Sequence, residues 1–276
     1  DPRWFNLANT FGMLVLAEIP YVDGACVYGG RIDDRVKFNA QYQLQELIRQ
    51  NYNSPAVVWW GISNETTRRP DGNCDAPDSQ LNASLNTLAK SIDDSLNPLV
   101  DEPNTKRPTT LASLKGPNIL QDVSDEIAYN EYPGWYNNNS WKNWIYDFAK
   151  PRVERKQRAV GISEYGAGGS HFQHTDRFGR VDRNYSLDVT NYLPIFNDWY
   201  SESQWHPIEN QTYLHQYAWA AISQSLCGSE NAECAHWGAF IWNMFDFASY
   251  FRDEGGMTNI NNKGLMTFDL KYKKDA

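Results

Sequence analysis

Short apolar runs alternate along the chain with longer stretches whose apolar positions recur at helical spacing. The run GMLVLAEIP at 12–20 reads as a buried strand, and it follows an opening stretch, DPRWFNLANTFGM, of helical character. From 34 to 53 the residues Phe38, Tyr42, Leu44, Leu47 and Ile48 fall near the spacing of one helix face. Pro55 then opens a second apolar run, 56–62. The segment 79–97 carries Leu81, Leu85, Leu88 and Ile92, a clear helical stripe. Shorter strands are predicted at 109–113 and 126–130, and a helix at 140–156 that Pro151 interrupts. A strand at 159–164, a helix at 211–227 and a last strand at 237–243 follow. The segment 168–210 is polar and aromatic without periodicity, and RDEGGMTNINNKG, after the last strand, reads as a Gly/Asn-rich loop.

Strands alternating with helices imply right-handed crossovers and a parallel sheet. No Gly-rich phosphate loop follows the first strand, which argues against a dinucleotide-binding sheet. In a closed (β/α)8 barrel every strand delivers its C-terminal end to one mouth, where active sites sit. Glu18, Glu65, Asn130, Tyr132, Glu164 and Trp242 all lie at or just beyond such ends. The barrel is therefore the predicted fold, with six strands in the pattern and two unaccounted for.

Two strand ends carry the candidate chemistry. AVVWWGISNET (56–66) has no polar residue from Ala56 to Ile62, yet it surfaces on Asn64 and Glu65. AVGISEYGAGG (159–169) has the same shape and surfaces on Glu164. Hydrolysis of a glycosidic bond needs two carboxylates flanking the anomeric carbon, about 5–5.5 Å apart in retaining enzymes. Their protonation states must differ, so one needs hydrogen-bond donors that hold it ionised. Tyr132 is a candidate donor, and Asn64 could hydrogen-bond a sugar hydroxyl. Each residue also has a plainer role. Glu65 could cap the loop after it or pair with Arg68 or Arg69, Glu164 could be an ordinary strand-end carboxylate, and Tyr132 a packed ring. His171 and His174 read as a surface loop rather than a metal site; Lys263 would by default be a solvated loop lysine, and is also a candidate substrate-binding residue.

Composition narrows the partners. The 276 residues are long enough for one α/β domain, and the net charge of −9 lacks the basic face that nucleic acid requires. No apolar run is long enough to span a membrane. Aromatic residues are 14 %, with 11 Trp and 16 Tyr, a supply that suits stacking on sugar rings as well as core packing. Cys26, Cys74, Cys227 and Cys234 form no metal pattern. Their placement suggests disulfides Cys26–Cys74 and Cys227–Cys234 and hence an extracellular, secreted setting. N-x-S/T sequons occur at Asn64, Asn82, Asn138, Asn184 and Asn210.

The chain resembles the catalytic domain of glycoside hydrolase family 2, which contains β-galactosidases, β-glucuronidases and β-mannosidases. SPAVVWWGISNE is similar to that family's signature ending in Asn-Glu, which implies Glu65 as acid/base and Asn64 as a substrate contact. GISEYGAG resembles its nucleophile segment and implies Glu164. YNEYPGWY resembles the stretch with the active-site tyrosine, here Tyr132, with Asn130 expected as a further substrate-binding residue. FIWNMFDFAS and NNKGLMTFDLKYKKDA resemble the last strand and the segment beyond it, which implies that Trp242 lines the sugar site.

The resemblance covers residues 1–276 as one TIM-barrel domain. It implies that the first two strands, and β-sandwich domains before them, lie upstream of Asp1. It implies a carbohydrate substrate and no cofactor. Some β-galactosidases carry a His three residues after the nucleophile and acidic/His magnesium ligands after the third strand; here those positions read Ala167 and AEIPYVDG, with no His, so that metal site is not expected. The expected activity is a retaining exo-β-galactosidase. The alternative is β-glucuronidase, because Asn261-Asn262-Lys263 fits an Asn-x-Lys pattern that grips the sugar carboxylate. A non-catalytic carbohydrate-binding barrel is the reading outside enzymes, and retention of both glutamates, Asn64 and Tyr132 argues against it.

Overall fold

The computed structural model describes residues 1–23, 32–66, 75–97, 106–114, 122–136, 140–149, 159–175, 204–228 and 234–275. The chain divides into two compact units, Asp1–Asn130 and Glu131–Ala276.

The first unit is parallel β/α structure. Helix α1 (Pro2–Phe11) starts on Asp1, which caps the Arg3 amide, and stops at Gly12 in the left-handed region. Strand β1 (Val15–Glu18) leads to α2 (Asp34–Asn51), whose N-cap Asp33 accepts from the Arg35 and Val36 amides. Helix α2 buries Ala40, Leu44 and Ile48, a stripe at i, i+4 and i+8. Strand β2 (Val57–Asn64), α3 (Asp75–Leu96), β3 (Thr109–Ser113) and β4 (Ala128–Asn130) follow. The sheet order is β1-β2-β3-β4, every pair parallel.

Continuous apolar runs make these strands because both faces are covered. Trp60, Ile62 and Leu111 are fully buried, and α3, which buries Leu81, Leu85 and Ile92, packs against β2 and β3. Trp60 donates its indole N–H to Asp93 at 3.1 Å. Gly61 is obligatory in β2, because a Cβ there would meet the Glu18 side chain at 2.5 Å.

The second unit holds α4 (Trp141–Asn143), which widens into a π-helical turn, Trp144–Ala149. Strand β5 (Val160–Tyr165), α5 (Ile208–Ile222) and β6 (His236–Ile241) follow, and β5 pairs with β6 in parallel. Cys227 and Cys234 form the expected disulfide. Cys26 and Cys74 lie outside the described residues, as do the sequons at Asn138 and Asn184. The sequon residues Asn82 and Asn210 are buried, which closes them to glycan attachment.

One expectation fails here. The Gly/Asn-rich loop after the last strand is an antiparallel hairpin, β7 (Phe247–Glu254) with β8 (Met257–Asn261). Its turn is Gly255-Gly256, with φ of 63° and 67°, the left-handed pair that a two-residue hairpin turn needs. Within it, Ala248 opposes Ile260 and Asp253 opposes Thr258, so β7 carries extra residues that bulge out of the ladder.

Candidate active site

The same device places both glutamates. Gly61 opposes Thr110 and Asn64 opposes Ala112, so β2 advances three residues while β3 advances two. In β5, Ile162 opposes Ala239 and Tyr165 opposes Ile241, the same three-against-two step beside β6. Such a bulge re-aims the side chains at the strand end. Glu65 carries the distortion in its own backbone, with φ of 51°, a left-handed conformation uncommon outside glycine and concentrated at functional sites. Its amide N–H donates to Ala112 O at 3.0 Å, which anchors the bend.

In the first unit the structure brings together three of the predicted residues. The Asn130 side-chain amide donates to Glu65 Oε1 at 2.8 Å and to Asn64 Oδ1 at 2.9 Å. Asn64 is held from the backbone too, since its N–H donates to Tyr21 O at 2.9 Å. Asn130 thus orients an acid and an amide at once. Arg68 and Arg69, the alternative partners for Glu65, lie outside the described residues.

In the second unit Tyr132 Oη donates to Glu164 Oε2 at 2.5 Å, and the Glu131 amide donates to Glu164 O at 2.9 Å. A donor on a carboxylate oxygen favours the ionised form. Tyr132 is also a packed ring, against Trp135, Ala167 and Leu214, with Tyr213 and Trp242 at the margin. Tyr132 thus donates to Glu164 and packs as a ring at the same time. Trp242 is half-buried at the end of β6, and its amide donates to Tyr165 O at 2.8 Å.

Lys263 departs furthest from expectation. It is 1 % exposed rather than solvated. Its ammonium lies 4.9, 5.4 and 5.9 Å from the ring centroids of Tyr136, Trp135 and Tyr132, within cation–π range. The described residues hold no ion pair to it. Asn261 accepts the Lys263 amide N–H at 3.1 Å, which fixes the start of the loop. Burial pushes the amine below the usual lysine range, and the Tyr136 hydroxyl opposes the shift.

Two neighbours of Lys263 were not among the predicted site residues. Arg252, on β7, donates to Tyr136 Oη at 3.2 Å and pairs with Glu254 at 2.5 Å. Partial desolvation would raise the Tyr136 phenol, but the residue is still 46 % exposed, and the Lys263 and Arg252 cations outweigh that effect and hold the phenol below its ordinary value. Among the described residues Arg252 is paired with Glu254, and the Glu254 charge also opposes the fall in the Lys263 amine. Tyr136 stood in the sequence four residues after Tyr132, a readable signal. Arg252 was hidden in RDEGG because a loop assignment gives no reason for an arginine to turn inward.

His174 is exposed and pairs with Glu209 at 2.9 Å, as a surface residue should. Among the described residues no group of three His, Cys, Asp or Glu could hold a metal ion. No described helix is long and apolar enough to cross a membrane.

Comparison with known proteins bears on this geometry. The family described as "Glycosyl hydrolases family 2, TIM barrel domain" matches residues 1–275. A β-glucuronidase of Bacteroides fragilis is 34 % identical over 274 residues, 99 % of this chain and 33 % of that protein. The FMN-binding β-glucuronidase from Facaelibacterium prausnitzii L2-6 superposes with a TM-score of 0.73 at 26 % identity, over 99 % of this chain and 35 % of its own. A Bacteroides fragilis structure provisionally assigned as a β-galactosidase gives a TM-score of 0.70 at 27 % identity, over 100 % of this chain and 34 % of its own. The chain spans about a third of the length of these relatives.

Proposed function

This chain belongs to glycosyl hydrolase family 2, with the TIM-barrel fold of that family's catalytic domain, and we propose that the protein containing it is a retaining exo-β-glycosidase acting on β-glucuronides. One observation carries the choice of sugar. Among the described residues no carboxylate lies within ion-pair distance of the buried Lys263, which sits beside Tyr136, while the nearby Arg252 is already paired with Glu254. A buried cation costs free energy unless an anion meets it. A uronate carboxylate supplies that anion, whereas the hydroxymethyl group of a galactoside does not. The B. fragilis β-glucuronidase relative supports the same choice, so β-galactosidase, the expected activity, becomes the second reading.

In the proposed mechanism Glu164 attacks the anomeric carbon and Glu65 protonates the departing glycosidic oxygen. A glycosyl ester on Glu164 results. Glu65 then takes a proton from water, which attacks the same carbon and releases the sugar with retained configuration. Tyr132 holds Glu164 ionised and aimed until it attacks, and must release the oxygen that forms the ester. Asn130 keeps Glu65 and Asn64 in place, with Asn64 available to a sugar hydroxyl. Trp242 and the neighbouring rings supply the wall against which a pyranose packs. An oxidising, secreted setting is part of the proposal, since a bridge such as Cys227–Cys234 persists in such a compartment.

The test compares aryl β-glucuronide with aryl β-galactoside, using the full-length protein. Loss of one desolvated charge contact separates them by roughly a hundredfold in kcat/KM in favour of the glucuronide. A preference for the galactoside would favour the β-galactosidase reading instead.

A further inference from the structure

Glu164 and Lys263 belong to separate segments of the second unit, and the roles proposed above require that they act on one sugar. The structure ties the two segments together unusually well. Gly169 N donates to Asn262 O at 3.0 Å. The Lys274 ammonium, fully buried, donates to Gly169 O at 2.7 Å, Asn262 O at 2.9 Å and Asp246 Oδ1 at 2.7 Å. Asp246 Oδ1 also accepts the Gly264 amide at 2.9 Å.

The remaining tie comes from α5. Gln211 is fully buried, and its side-chain amide donates to Ala167 O at 2.9 Å and to Gly264 O at 3.2 Å. Ala167 is three residues beyond Glu164, and Gly264 is next to Lys263. One turn later His215 accepts the Ala167 amide at 3.1 Å, so one helix face holds Ala167 at both its N–H and its C=O. An NH2 group with two hydrogens is the chemistry that can serve two carbonyls at once. A glutamate would place acceptors against acceptors, and an asparagine is too short to reach both.

We propose that Gln211 is a positioning residue that locks the Lys263 loop to the strand exit carrying Glu164, so that a uronate gripped at Lys263 sets the nucleophile's aim. If the loop could yield, part of the carboxylate's binding energy would go into moving Lys263. With the joint locked, that energy holds the anomeric carbon against Glu164, and it appears in kcat rather than in KM alone. The inference rests on the glucuronidase reading of Lys263.

The experiment is a double-mutant cycle in the full-length protein with an aryl β-glucuronide: Gln211→Met, Lys263→Met and the pair. Gln211→Met keeps the volume and removes both donors, while the Lys274 and Gly169 ties still close the joint. Its expected effect is a fall in kcat of about tenfold with KM changed less than about threefold, as for an interaction realised in the transition state. In the Lys263→Met background the same change is expected to cost less than about twofold, because the grip it transmits is gone. Equal losses in both backgrounds would show that Gln211 is only structural and would overturn the coupling while leaving the glucuronidase reading intact. If Lys263→Met alone spared glucuronide turnover, the reading of Lys263 would fail, and the coupling with it. Should Gln211→Met not fold, Gln211→Asn, which reaches only one carbonyl, is carried through the same cycle with the same expected pattern.

Discussion

Replacing Lys263 by methionine removes a charge and nearly preserves shape. Lys263 is 1 % exposed and its ammonium lies over three aromatic rings, so a bound carboxylate would meet a cation shielded from bulk water. Truncating one partner of a buried, hydrogen-bonded charge pair costs about 2–5 kcal/mol. Tyr136 and Arg252 remain to hold the carboxylate, which favours the lower part of that range, about 2–3 kcal/mol. At about 1.4 kcal/mol per tenfold, kcat/KM for an aryl β-glucuronide should fall roughly 30- to 150-fold. An aryl β-galactoside carries no charge to lose and should change by less than about threefold. Both substrates are assayed on one preparation of full-length variant, so a folding defect would lower both rates together. Equal losses on the two sugars would refute the electrostatic role and leave Lys263 a structural prop. The variant has a second signature. Burial lowers the Lys263 pKa below its unfolded value. Between the two values the unfolded chain holds more protons, so stability rises with pH across that window. Lys263→Met should flatten the rise in a denaturation series taken at alkaline pH.

Tyr132→Phe removes the donor to Glu164 and should lower kcat by about 10- to 100-fold on glucuronide and galactoside alike, with little change in KM. A loss confined to one sugar would contradict it. Asn130→Ala frees Glu65 and Asn64, so it should slow substrates with poor leaving groups about tenfold more than activated aryl glycosides, which need little acid assistance. A uniform loss across leaving groups would speak against Glu65 as the acid. Burial pushes His215 and His236 down to about 4, so each favours folding as the neutral imidazole. That contribution is complete above the unfolded value near 6.5 and is lost as pH falls from there to about 4, up to roughly 3 kcal/mol for each. Denaturant melts between pH 7 and 4 should show the decline, and His215→Gln should reduce it.

The strands and the two glutamates were legible because a continuous apolar run reports a strand buried on both faces, and a carboxylate at its end is out of place. The bulges that aim Glu65 and Glu164 were not legible, since a register step depends on the neighbouring strand. The hairpin β7–β8 was read as a loop. Its Gly255-Gly256 pair is a hairpin signal, but clustered Asn and Gly obscured the alternation on either side, and the bulge in β7 breaks the period further. Lys263 illustrates the limit best. Its Asn-x-Lys context was visible, yet it is buried against the rings of Tyr132, Trp135 and Tyr136, which converge on it only in three dimensions. Local composition around Lys263 therefore suggested a solvated residue, and the text around Trp242 suggested a galactosidase.

The most direct measurement traps the covalent intermediate. The full-length protein is treated with an activated 2-deoxy-2-fluoro-β-glucuronide, digested, and the peptides are sequenced by mass spectrometry. The expected result is a sugar ester on Glu164 and unmodified Glu65. An ester on Glu65 or on any other residue, or full inhibition-free turnover with inverted product, would contradict the assignment of Glu164 as the nucleophile of a retaining glycosidase.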